Sequence, residues 1–439
     1  MTIPPARHPS TEVLMRKSVL SLAAAFVLAG VVVAADWPQW RGSNRDDVSK
    51  ETGLLKSWPK DGPKLLWTFR EAGLGFATPS VVGERLYTQG GDGDKEYVFA
   101  LDLKTQKKAW STEVGEFFKN SYGDGPRGTP TVDGDLIYII GGQGNLLCVK
   151  ADTGEKVWSK NMQHDFAGQM MSGWGYSESP LVDGEQVVCT PGGSHGAVVA
   201  LNKKSGQVLW QSNEFTDRAA YCSIVVSNAG GVRQYVQMTD EHVVGLDPKD
   251  GHLLWKFARH GQTAVIPTPV VSGDYVFVTS GYSAGCNLLK ISKSNDKLEV
   301  AELYKEDEDY KRISNHHGGV VLLDGYVYGY SDGKHRAGPA AWVCQELKTG
   351  NVVWAEDKAL GKGSLTYADG HFYCYGEDDG TCVLAEASPK GWKETGRLTI
   401  EKTKTKHNGK VWAHPVVANG KLYLRDQDLI HCYDVKEGR

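Results

Sequence analysis

Apolar and polar residues alternate along most of this chain in runs of about five positions, the period of a half-buried β-strand. The stretch Thr129–Trp158, TPTVDGDLIYIIGGQGNLLCVKADTGEKVW, carries a full unit: three such runs and the start of a fourth. Asp133-Gly134 supplies the positive φ angles of a two-residue hairpin, and Asp152-Thr153-Gly154 marks a second turn before the closing tryptophan. The unit returns, with variations, from Thr78 onward, and its closing positions are Trp67, Trp110, Trp158, Trp210, Trp255, Tyr304, Trp354 and Leu398. The last unit, HPVVANGKLYLRDQDLIHCYDV from His414, stops after its third run. An orphan run, Leu65–Phe69, precedes the first unit and supplies the missing fourth.

A single four-stranded sheet with this pattern cannot bury both faces, so the units must stack on one another. Radial stacking gives a β-propeller, whose edges are short and protected. Eight closing positions predict an all-β, eight-bladed β-propeller of four-stranded antiparallel blades over 65–439, closed by the N-terminal strand joining the C-terminal blade. Residues 36–64, which begin DWPQWRGSNRDD, read as an N-terminal strap. Residues 1–35 read as a signal peptide: Arg16 and Lys17 precede the apolar run Val19–Ala35, which ends on small residues. An uncleaved membrane anchor is the alternative. Val31 stands where a lipoprotein needs its cysteine, so no lipid anchor is expected. The resulting location is the periplasm or the exterior.

Composition narrows the classes. Hydrophobic content is 40% and charged content 23%, values of a folded globular chain. The net charge is −4 with no basic block, which leaves nucleic-acid binding without an electrostatic footprint. The eight cysteines are scattered, with no CxxC or CxxCH. Most sit in apolar strand patterns and read as buried free thiols. Cys374 and Cys382, flanking one hairpin turn, are the best candidates for a bridge.

In a propeller, residues just before each innermost strand, and those in the loops between second and third strands, gather on one face around the axis. The pre-strand positions hold Arg127, Trp174, Tyr176, Glu178, Tyr221, Asn315, His316, His317, Lys362, Trp412 and His414. The matching loops add His195, Asp240, Glu241, His242, Lys334, His335, Arg336, Glu377, Asp378, Asp379, Arg425 and Asp426. Simple turns need only small polar residues, so this concentration points to a binding funnel. Neighbouring strand positions face opposite ways, so His316 and His317 read as wall residues rather than paired ligands, and no metal site is assigned. Glu178 reads as a base with a raised pKa or as a carboxylate paired with Arg127 or Lys362.

The recurring pattern of Leu101-Asp102 with Trp110, Thr153-Gly154 with Trp158, Ser205-Gly206 with Trp210, and Thr349-Gly350 with Trp354 resembles the tryptophan-docking repeat of pyrroloquinoline-quinone-type propellers. The stretches WGYSESPLVDG and NHHGGVVLLDGYVYGYSDG resemble secreted bacterial members of that group. The resemblance covers about Leu65 to Lys436 and implies the fold. It spans quinoprotein alcohol dehydrogenases and non-catalytic scaffolds, including the propeller of the outer-membrane β-barrel assembly machinery. The dehydrogenases carry an adjacent cysteine pair over the quinone, and this chain has none. The expectation is therefore an exported, monomeric, non-catalytic binding or scaffold module with a small molecule, polymer or protein at the funnel face. One alternative is a quinone-dependent alcohol dehydrogenase of the polyvinyl-alcohol type, in which pyrroloquinoline quinone and calcium are implied, with Trp174 or Trp412 on the quinone, Arg127 or Lys362 on its carboxylates, and Glu178 as base. Another is a carbohydrate- or polymer-binding propeller that uses the channel aromatics as platforms.

Overall fold

The computed structural model describes residues 1, 2, 4, 35–304, 313–333, 340–405 and 409–438. The apolar run expected as a signal peptide lies outside these residues except for Ala35, and so do Lys334, His335 and Arg336. No helix among the described residues is long and apolar enough to cross a membrane.

From Trp37 onward the described residues form an eight-bladed β-propeller. Eight sheets each carry four antiparallel strands, and the seventh also receives the short strand Val48–Ser49, parallel to its innermost strand. The innermost strands are Ser80–Val82, Thr131–Asp133, Leu181–Asp183, Val225–Ser227, Val270–Ser272, Val320–Leu323, Gly363–Ala368 and Val416–Ala418. The ring closes as expected: Lys64–Phe69 is the outer strand of the eighth blade, antiparallel to Leu429–Asp434, with Trp67 opposite Cys432. The buried apolar residues divide into eight clusters, each shared by two neighbouring blades, so the core is a set of radial slabs.

A bulge on the outer strand positions the closing aromatic. Register shifts next to Trp67, Trp110, Trp158, Trp210, Trp255 and Trp354, and a bulge of this kind re-aims a side chain. The indole N–H then reaches the next blade: Trp110 donates to the Ala151 carbonyl at 3.0 Å, Trp158 to Lys203 at 2.9 Å, Trp210 to Pro248 at 3.2 Å and Trp354 to Ser388 at 3.0 Å. The ring lies on the turn glycine, where a Cβ on Gly154 would sit 2.5 Å from Trp110 and one on Gly206 2.7 Å from Trp158. Both glycines hold positive φ, so the turn and the docking surface require the same residue.

The irregular blades follow the same physics. Tyr304 replaces tryptophan in the fifth blade, whose outer pair shows no register shift, and its hydroxyl donates to the Leu347 carbonyl at 2.5 Å. That blade turns on Asn295-Asp296 instead of a glycine, and Trp255 of the preceding blade bonds to Gln234 of its own sheet. In the seventh blade Leu398 holds the closing place, and Trp58 from the strap packs over Gly396 and against Tyr373.

The expected Cys374–Cys382 bridge is corrected. All eight cysteines are free and buried. Tyr375, not Cys374, lies opposite Cys382, so the two thiols project from opposite faces of the seventh blade, into the slabs shared with the sixth and the eighth.

The strap crosses the axis. Trp37 exchanges backbone hydrogen bonds with Val81, and the Pro38 carbonyl accepts from Val132 N–H at 2.8 Å. Arg45 donates to the carbonyls of Ser179 and Pro180 at 2.7 and 3.0 Å. Arg41 pairs with Asp47 at 2.5 Å and donates to the carbonyls of Thr268 and Val320. Asp47 accepts from Tyr367 N–H, and Ser49 donates to the Val417 carbonyl at 2.9 Å. One short segment thus touches the inner strands, or the residues just before them, on opposite sides of the ring, which places it in the channel.

Arg425 fastens the eighth blade to the first. Only 1% exposed, it donates to the carbonyls of Ala77, Gln89, Gly73 and Gln427 at 2.7–3.1 Å. Burial lowers its pKa to about 9, and the four carbonyls hold it as a structural cation. Two outcomes test the closure. Deletion of Leu65–Phe69 is expected to lower the melting temperature by roughly 10 °C or more; melting like the intact chain would refute closure by strand exchange. Arg425→Leu is expected to cost about 3 kcal/mol in chemical denaturation, because it strands buried carbonyls.

Candidate functional site

The residues preceding the inner strands are held by the loops that enter the ring, and every blade but the seventh brings at least one such residue to the axial mouth. There they line a cavity of about 180 Å³. The strap contributes Trp40, whose indole donates to Thr268 Oγ1 at 2.9 Å and lies 4.5 Å, ring to ring, from His414. Around it stand Phe76, Arg127, Trp174, Tyr221, Ile266, His316, His317, Trp412 and His414, with Tyr122 and Tyr282 from neighbouring loops. Phe76 and Trp412 meet at 4.7 Å, and Trp174 stacks on Tyr221 at 6.0 Å with 26° between planes. No Asp or Glu occurs among the described lining residues.

Arg127 brings the charge. Its terminal nitrogens donate to the carbonyls of Gly125 and Gly123 at 3.0 and 2.6 Å. The rings of Phe76 and Phe118 flank the guanidinium at 5.6 and 5.1 Å. Burial lowers its pKa to about 10, so it stays cationic at neutral pH.

Glu377 ties three blades together behind the cavity wall. Its Oε2 lies 2.5 Å from His317 Nε2, accepts from the Trp412 indole at 3.0 Å, and is 3.9 Å from Lys362. Lys410 reaches Oε1 at 3.4 Å. Burial pushes the carboxyl up, but the His317 hydrogen bond and the charges of Lys362 and Lys410 outweigh it and hold Glu377 below the usual carboxylate range. Burial lowers the pKa of His317 against the pull of Glu377, whose carboxylate orients the imidazole.

Of the residues expected here, Arg127, Trp174, Tyr221, His316, His317, Trp412 and His414 come together in the lining. His316 and His317 both line it because neither lies in a strand, which corrects the opposed orientation expected for them. Tyr176 belongs to the slab between the second and third blades, with its hydroxyl on the Pro191 carbonyl at 3.0 Å. Lys362 lies behind the lining, against His316 Nδ1. Glu178 is sealed off at 2% exposure and accepts from Thr190 N–H and Oγ1 at 2.6 and 3.1 Å. Its nearby positive charge is Arg45 of the strap, not Arg127 or Lys362. Burial raises its pKa to about 7. Phe76, Ile266 and Trp40 were not picked out in sequence. Phe76 occupies the same pre-strand place as Arg127, so aligning the repeats reveals it; Trp40 had no repeat position to betray it.

Among the matching loops, His195 is exposed, and Asp378 pairs with Lys410. Asp217, Glu241 and His242 bring ligand atoms within 4.8 Å of one another. Asp217 there already takes bonds from Thr239 Oγ1 and His242 Nδ1, at 2.5 and 2.8 Å.

A family model described as outer membrane protein assembly factor BamB matches residues 94–356. The chain belongs to that family. The BamB of Burkholderia pseudomallei is 23% identical over 303 residues, covering 60% of this chain and 76% of the relative. Lupanine 17-hydroxylase (cytochrome c) of a Pseudomonas species is 30% identical over 195 residues, 41% of this chain but 26% of that protein. Among solved structures, BamB from Moraxella catarrhalis aligns with a TM-score of 0.58 at 15% identity, covering 85% of this chain and 99% of that one. Quinohemoprotein alcohol dehydrogenase from Comamonas testosteroni aligns with 0.61 at 12% identity, covering 92% and 81%. At these identities the structural likeness is one of fold.

The described lining does not fit pyrroloquinoline quinone with calcium. Calcium takes six to eight oxygen ligands, carboxylates among them, and no described lining residue carries one.

Glu178 has a measurable signature. Its folded pKa lies above the unfolded value, so between about pH 4.5 and 7 the folded chain keeps a proton that the unfolded chain has lost, and stability falls as pH rises. Glu178→Gln keeps an acceptor for Thr190 and removes the titration. The variant is expected to gain about 2–3 kcal/mol relative to wild type on going from pH 4.5 to pH 8. Parallel denaturation curves at both pH values would show that Glu178 is not the titrating group.

Proposed function

We propose that this chain is an exported, non-catalytic propeller that binds a ligand or partner at its axial funnel face. The observation that carries this reading is the lining itself. Pre-strand residues from around the ring converge as aromatic and cationic side chains where turns alone would need only small polar ones. His317 is held by Glu377 in a buried pair within the wall. Membership of a family described as an outer membrane protein assembly factor supports a binding role and a location outside the cytoplasm. The stretch shared with lupanine 17-hydroxylase supports the dehydrogenase alternative at the level of repeat sequence.

Two measurements separate the readings. Purified protein reconstituted with pyrroloquinoline quinone and calcium is expected to give no quinone spectrum and no alcohol-dependent dye reduction; turnover would establish the enzyme. A ligand or partner retained from host envelope extract by the intact chain is expected to be lost from the Trp174→Ala/Trp412→Ala double variant. Equal retention by both would place binding elsewhere.

A further inference from the structure

Resting on the reading that the funnel face binds a ligand, we propose that its cavity takes a single-ring organic carboxylate, with the ring against Trp174 and Trp412 and the carboxylate on Arg127. Size sets the first condition: about 180 Å³ seats one six-membered ring and a small substituent below the open mouth. Surface chemistry sets the second. The aromatic pairs Phe76–Trp412 and Trp174–Tyr221 give the cavity flat faces that pack against a ring.

Charge sets the third condition. Arg127 is held by two neutral carbonyls and two ring faces, which fix the guanidinium without neutralising it. Glu96 is the strongest source of negative potential on Arg127. Burial raises its own pKa to about 7, and it accepts from Gly142 and Phe118 N–H. Glu377, on the opposite wall, is bonded to His317 and Trp412 and compensated by Lys362 and Lys410. Arg127 is thus a cation on a wall that has no carboxylate among the described lining residues, which suits an anion. A planar guanidinium matches a carboxylate in geometry as well as charge.

The test is calorimetric titration of the full chain with benzoate and cyclohexanecarboxylate, and with benzamide as the uncharged isostere of benzoate. Both carboxylates are expected to bind, and benzamide to bind about ten-fold or more weakly. Arg127→Gln is expected to abolish the preference. Because Arg127 also ties down two loop carbonyls, Arg127→Lys serves as a second variant and is expected to retain the preference at reduced affinity. Equal binding of benzoate and benzamide by the wild-type chain would overturn the assignment of the anion to Arg127. Failure of all three rings to bind, while an envelope ligand is still lost from the Trp174→Ala/Trp412→Ala variant, would overturn the ligand class and leave the binding module standing. Failure of both would overturn the binding reading itself.

Discussion

The architecture depends on one contact repeated around most of the ring: the closing aromatic of a blade against the turn that opens the outer strand of the next. A blade has two apolar faces and cannot stand alone, so its stability comes from its neighbours. The bulge tilts the indole out of its own sheet, the glycine gives it a flat seat, and the N–H satisfies a carbonyl that the turn would otherwise leave to water. A buried aromatic of this size contributes about 2–4 kcal/mol through the area it removes from solvent. Where the seat is missing, as at Asn295-Asp296, Trp255 turns back to Gln234. Where the tryptophan is missing, Tyr304 finds the equivalent carbonyl with its hydroxyl.

The strap changes what such a ring can do. An open axial channel would present inner-strand backbone and water. Here Arg41 and Arg45 satisfy inner-strand carbonyls from the inside, and Trp40 reaches the cavity against His414. The cavity at the mouth therefore has walls from the propeller and a surface from the strap. Burying two arginines is costly unless their donors find acceptors, and the carbonyls around the axis take the terminal nitrogens of both.

The site was half legible. Arg127, Trp174, Tyr221, His316, His317, Trp412 and His414 were identified because the repeat fixes which position precedes each inner strand. Tyr176 and Glu178 share the same stretch as Trp174 yet leave the cavity, Tyr176 for an interblade slab and Glu178 for a sealed pocket beside Arg45. Position in a repeat gives a residue's face, whereas the local backbone gives its direction. His316 and His317 show this from the other side, since non-strand backbone lets both line the cavity where strand alternation would have parted them. Glu377 was visible as an acidic turn, but its bonds to His317 and Trp412 join three blades and leave no trace in local sequence.

What the sequence alone determined was the ring: strand period, turn glycines, eight closing positions and an orphan first strand allow only stacked blades closed by strand exchange. These are local or periodic signals, and periodicity survives in one dimension. What the tertiary structure decided was everything that depends on side-chain direction and on contacts across the axis. It kept Cys374 and Cys382 apart on opposite faces of one blade. It sent the strap through the channel and left Arg127 facing a cavity with no carboxylate among its described lining residues. Such contacts join residues hundreds of positions apart, and only closing the ring brings them within bonding distance.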